Sequence, residues 1–147
     1  MSEKFDLICL AGVTRADDLS ELTDWIHDCW FSLGGIVFNE DSHQLEIEYK
    51  REFLNEGTVV QNGLLKTVEA PVYTCYLIIN GVTEYAIDDT ESVGEYDFND
   101  IDFDGATKTL KISTGIPLGM FLRIDKIDIR IYRREVAVEK RFHKVLF

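Results

Sequence analysis

From Gln44 to Phe53 the chain alternates without a break. Leu45, Ile47, Tyr49, Arg51 and Phe53 form one series, and Gln44, Glu46, Glu48, Lys50 and Glu52 form the other. A period of two predicts a long strand with one apolar and one charged face. Val72 to Ile79 is nearly continuous in apolar and aromatic residues, which predicts a central strand. Asn80-Gly81 follows, a hairpin turn signal, with Val82 to Ile87 as the returning strand. Phe98 to Phe103 and Leu110 to Ser113 predict another hairpin, turning at Asp104-Gly105. Met120 to Ile131 changes phase near Asp125-Lys126, where a bulge or a tight turn would restore the faces. Leu7 to Val13 reads as a short buried strand or as an apolar lead-in to a helix. Asn55 to Gly63 and Asp88 to Gly94 read as loops. The tail from Glu135 to Phe147 fits either a short helix or an extended strand.

One segment follows a different period. Leu19, Leu22, Ile26, Cys29, Trp30 and Leu33 recur at three- and four-residue spacing, with Glu21, Asp24 and Asp28 off that stripe. This predicts an amphipathic helix. Thr14-Arg15-Ala16-Asp17 resembles a capping box at its start, and Gly34-Gly35 stops it.

Two segments align without a gap at a shift of 65 residues. Phe31, Leu33, Ile36, Phe38, Asn39, Leu45 and Ile47 match Tyr96, Phe98, Ile101, Phe103, Asp104, Leu110 and Ile112. The bland explanation is that amphipathic hairpins with equal loops always align. The sharper one is a duplicated hairpin related by a pseudo-twofold axis. The expected fold class is α+β: an N-terminal amphipathic helix packed on a largely antiparallel sheet, open to a sandwich or a partial barrel, with the hairpin unit repeated around 31–53 and 96–114. The length of 147 residues fits one domain, 1–147.

Composition narrows the function classes. The net charge of −12 disfavours nucleic acid and anionic membrane surfaces, since phosphates would be repelled. Cys9, Cys29 and Cys75 are widely spaced and lie in apolar stretches, so they read as reduced core residues. The start of the chain lacks the basic leader of a secretory signal, and no apolar run reaches membrane length. The expectation is a cytoplasmic protein. The charge is also uneven. Residues 1–122 carry 7 basic and 23 acidic side chains, whereas residues 123–147 carry 8 and 4.

Candidate chemistry is sparse. Asp100, Asp102 and Asp104, followed by Gly105, open like a calcium loop. Lys111 stands where the bidentate glutamate should be, and the other hairpin keeps the apolar face but not the acids. No metal or other cofactor is therefore expected. Asp24, His27 and Asp28 form a polar cluster without a second histidine at ligand spacing. There is no Gly-x-Ser-x-Gly elbow, and Gly115 to Gly119 lacks the lysine of a phosphate loop. Trp25, Trp30, Tyr73 and Tyr76 are the candidate lining residues of a ligand pocket between helix and sheet, with core packing as the simpler role. Arg133, Arg134, Lys140, Arg141 and Lys144 form a candidate basic interface, with internal pairing to acidic strands as the preferred role. One such pair would set Arg130 against a glutamate of the 44–52 strand. The function these features favour is a non-catalytic interaction protein that binds another protein or itself. A small-ligand binder or enzyme is the alternative.

Overall fold

The computed structural model describes residues 6–63, 65–89 and 91–146. Eleven strands and one short helix follow in the order β1 (Leu7–Val13), α1 (Ser20–Ile26), β2 (Trp30–Asn39), β3 (Gln44–Glu52), β4 (Thr58–Asn62), β5 (Leu65–Ile79), β6 (Val82–Asp88), β7 (Glu95–Asp104), β8 (Thr109–Thr114), β9 (Gly119–Ile124), β10 (Ile129–Arg134) and β11 (Glu139–Leu146). All strand pairs are antiparallel, in the spatial order β1-β10-β5-β3-β2-β7-β8-β9-β6. The N-terminal half of β5 also takes β4 on one side and β11 on the other. The array is not a closed barrel.

Strand alternation places the core. Leu45, Ile47 and Tyr49 of β3, Cys75, Leu77 and Ile79 of β5, and Ile129 and Ile131 of β10 turn inward. They meet Phe98 and Ile101 of β7, Leu110 and Ile112 of β8, and Met120 and Leu122 of β9 in one buried cluster. Phe31 stacks on Phe98 with ring centres 4.3 Å apart. Helix α1 packs against β7 and β1. Its Leu22 and Ile26 are fully buried, each worth about 1.5–3 kcal/mol.

The helix is much shorter than its spacing predicts. A 3-10 turn covers Ala16–Asp18 with no side-chain cap, so the Thr14–Asp17 capping box does not form. The helix ends at Ile26, His27 turns extended, and Asp28 takes a φ of 65°. Trp30 and Phe31, expected on the helix, pair with Lys50 and Tyr49 in the sheet. Aromatic residues suit a strand, and the offered sheet partners outweigh a weak helical preference.

The Asn80-Gly81 signal is also read differently by the fold. Gly81 has the expected positive φ of 73°, yet β6 pairs with β9 and not with β5. Asn80 N–H donates to Asp128 and Val82 N–H to His43, and the turn carries the chain from β5, beside β3, to β6, beside β9 at the far end of the strand order. The phase change near Asp125 marks a second crossing of this kind, from β9, which lies between β8 and β6, to β10, which lies between β5 and β1. Leu7–Val13 is an edge strand whose first residues are exposed, and the tail is a strand.

The two hairpins have matching registers. Phe38↔Leu45 and Ile36↔Ile47 correspond to Phe103↔Leu110 and Ile101↔Ile112. Both turns hold the same hydrogen bond: Asn39 Oδ1 accepts from Asp41 N–H at 3.0 Å, and Asp104 Oδ1 accepts from Ala106 N–H at 2.9 Å. His43 and Lys108 close them with φ of 54° and 56°. Across the β2–β7 contact, Phe31 faces Tyr96, the residue that the 65-residue shift matches to it. An antiparallel pair in which a residue faces its own counterpart lies on a twofold axis.

The agreement continues outward from that axis. Leu45↔Ile79 and Ile47↔Leu77 are mirrored by Leu110↔Leu122 and Ile112↔Met120. Ile79↔Ile129 and Leu77↔Ile131 are mirrored by Leu122↔Tyr85 and Met120↔Ile87. The repeat is therefore a four-stranded unit, β2-β3-β5-β6 and β7-β8-β9-β10. The fourth strand of each unit crosses to pair with the third strand of the other.

Candidate functional site

Glycines build the site. Between Phe31↔Tyr49 and Ile36↔Ile47, β2 carries Ser32, Leu33, Gly34 and Gly35 opposite Glu48 alone. This bulge interrupts the ladder. A Cβ on Gly35 would lie 3.2 Å from the Glu48 carbonyl oxygen, so the close approach favours glycine. Gly34-Gly35 thus bends a strand rather than stopping a helix. Leu33 N–H leaves the β2–β3 ladder and donates to Gly94.

Beside the bulge lies a cleft of about 600 Å³, lined by residues of 27–32, 48–52, Glu95 and Arg141. Phe31 and Tyr49 turn inward, so Trp30, Ser32, Glu48, Lys50 and Glu52 take the outward face. Trp30 is 50% exposed. Ser32 faces Glu95 across β2–β7. The cations of the cleft are engaged. Lys50 pairs with Glu139 at 3.4 Å and Arg141 with Glu139 and Glu52, while the His27 ring, neutral or charged, lies 3.2 Å from Asp28. Arg51 lies over the rings of Trp25 and Phe53. Among the described residues, Glu48 and Glu95 make no ion pair, and no cation stacks on Trp30.

The four candidate lining aromatics do not converge. Trp30 borders the cleft. Trp25 and Tyr73 flank Phe53, at 6.0 and 5.1 Å between ring centres. Tyr76 lies on the outward face of β5, where its hydroxyl accepts from Arg134 Nε at 2.6 Å. Leu22 and Ile26 fill the space beneath α1.

The basic tail is paired within the chain. Arg133 meets Glu56 at 3.2 Å and lies 3.9 Å over the Tyr73 ring. Lys140 meets Glu69 at 2.8 Å, a bond that raises the Lys140 ammonium pKa. Arg141 and His143 both reach Glu52. Lys144 sits opposite Thr67 and is exposed. Arg130 does not reach β3, because β5 lies between them; it pairs with Asp128 instead.

The three aspartates have separate roles. Asp100 accepts from the Thr23 hydroxyl at 3.1 Å and ties β7 to α1. Asp102 faces Lys111 across β7–β8, and Asp104 makes the turn bond. Among the described residues, no three His, Cys, Asp or Glu side chains form a metal-binding group. No described helix is long and apolar enough to cross a membrane.

Burial pushes the Cys29 thiol up to about 11 and the Cys75 thiol up to about 12, so both stay protonated at neutral pH. Tyr49, between them in the core, donates its hydroxyl to the Trp25 carbonyl at 3.0 Å.

Sequence reasoning missed Glu48 and Glu95, which stand on different strands and match no motif. The available signal was Trp30, which falls on the polar side of a strand whose apolar side is set by Phe31. No family model, curated protein or solved structure matches this chain.

Proposed function

We propose that this protein is a non-catalytic interaction module that binds a basic protein partner. The observation that carries the reading is where the chain spends its cations. Arg133, Lys140 and Arg141 are held by Glu56, Glu69 and Glu52 of the same chain. The first 122 residues keep an acidic excess of 23 against 7 basic side chains, and an acidic surface steers and selects a partner of opposite charge. Self-association through the basic tail would first have to break these internal pairs. The same surface repels nucleic acid and anionic membranes.

The reading is tested in two steps. Light scattering after size exclusion is expected to give a monomer at millimolar concentration; a stable dimer would point to self-binding instead. In-cell crosslinking then identifies a partner, which is purified and titrated against the whole chain. The expected partner is basic, and its affinity should fall by about tenfold or more between low and high salt. An acidic partner, or a salt-independent affinity, would overturn the proposal.

A further inference from the structure

We propose that the cleft at Trp30 is the docking point for an arginine side chain of a protein partner, which rests on the reading above that the partner is basic. Three observations converge there. The first is the half-exposed indole of Trp30, on which no described cation stacks. A tryptophan face is the strongest aromatic site for a cation. The second is a pair of carboxylates, Glu48 and Glu95, on strands either side of Ser32, which make no ion pair among the described residues. The third is that the cleft's own cations each face another group: Lys50 pairs with Glu139, Arg141 with Glu139 and Glu52, and Arg51 lies over the Trp25 and Phe53 rings. A cation arriving from outside meets two exposed carboxylates that form no ion pair with a described residue.

The shape selects arginine over lysine. A guanidinium is flat, so it can lie on the indole while its edge donors reach carboxylates on both sides. An ammonium is a compact, strongly hydrated point and cannot do both at once. The small Ser32 side chain lines the cleft beside the bulge. At about 600 Å³ the cleft is within the range of ligand-holding sites.

The test is an NMR titration of the intact, isotope-labelled protein with acetylated tetra-arginine amide and, separately, tetra-lysine amide. The expected result is saturable shifts at the Trp30 indole N–H and the Ser32 and Glu95 amides, with tetra-lysine several-fold weaker. Glu48→Gln with Glu95→Gln should weaken tetra-arginine by about tenfold, and Trp30→Ala by a similar factor. Glu40→Gln with Asp41→Asn removes the same charge at the β2–β3 turn and should change affinity by less than about twofold. All these residues are exposed, and the spectra themselves report whether each variant is folded. Shifts scattered over the acidic surface, or equal losses in the site and control variants, would overturn the site and leave the basic-partner reading standing. No binding of either peptide would overturn both.

Discussion

Arg133 separates an internal strut from an interface residue, and its removal can be worked out in advance. Its guanidinium meets Glu56 at 3.2 Å and lies 3.9 Å over Tyr73 and 5.0 Å over Phe53, with the side chain only 14% exposed. Tyr73 donates to the same Glu56 carboxylate at 3.1 Å. A charge-assisted hydrogen bond contributes about 1.5–3 kcal/mol, and a stacked cation adds ~0.5–1 kcal/mol or more. One term opposes these: the Arg133 Nε is buried without a partner among the described residues. Arg133→Met keeps the apolar stem and should therefore cost ~2–3 kcal/mol, or roughly 6–9 °C in Tm for a chain of this size. Glu56 is 38% exposed and screened, so Glu56→Gln should cost only about 1 kcal/mol. Urea denaturation of the two single variants and the double variant should give a coupling of ~1 kcal/mol. Lys144→Met, on the exposed strand β11, is the control and should stay within about 0.5 kcal/mol. If Arg133→Met cost no more than that control, the claim that the basic tail is spent internally would fail.

Gly115→Ala should destabilise by ~1–2 kcal/mol in the same assay, because its Cβ would collide with the Asp97 carboxylate, which accepts from Ile116 N–H; the added Asp97→Ala change should recover part of the loss. At pH 8 a disulfide reagent should modify Cys9 quickly and Cys29 and Cys75 slowly, since burial holds their thiols near 11 and 12; Cys9→Ser should abolish the fast phase. The Glu46 carboxyl is held above its ordinary pKa by burial and then by Glu48, so its ionised form is disfavoured in the fold. Its favourable contribution is present below the unfolded carboxylate pKa and is lost as pH rises through the folded value. Glu46→Gln should therefore raise the urea midpoint at pH 7, and the gain should vanish on acidification below about pH 4.

Local rules carried the strands whose partners are adjacent in sequence. β3 and the β7–β8 hairpin obey period two and turn where an Asx residue can accept from the backbone, so both were legible. The errors fall where one local signal serves two structures. Cys29, Trp30 and Leu33 fit a helical stripe, but Phe31 between them had a sheet partner in Tyr49. Asn80-Gly81 specifies a backbone bend with positive φ, and the bend makes no statement about which strand the chain pairs with next. β4 and β11 were unreadable as partners because the half of β5 that joins them, Leu65–Val72, mixes Lys66 and Glu69 with apolar residues and contains Pro71. The cleft was unreadable for the same reason: its parts come from four separate stretches, and only the fold sets Glu48 near Glu95.

The pseudo-twofold frame also bears on where function can sit. Residues that maintain the frame are fixed by their counterparts: inward apolar pairs, turn-closing residues with positive φ, and the axis pair Phe31–Tyr96. A surface open to selection for binding is one where the two halves depart from each other. Two departures stand out. The first unit inserts β4 and the N-terminal half of β5 between its second and third strands, and β11 lies beside that insertion. The first unit also sets four bulge residues of β2 opposite Glu48, whereas β7 adds only Asn99 between Phe98↔Thr114 and Asp100↔Ser113. The Trp30 cleft lies at the meeting of both, bounded by the large bulge and by Arg141 of β11. The counterpart of Trp30 in the second unit is Glu95, which lines the same cleft, so the axis brings an aromatic wall and a carboxylate together from equivalent positions. A frame that repeats its core and varies these positions concentrates its chemical individuality at one point, and that point is where a cation from another protein would be received.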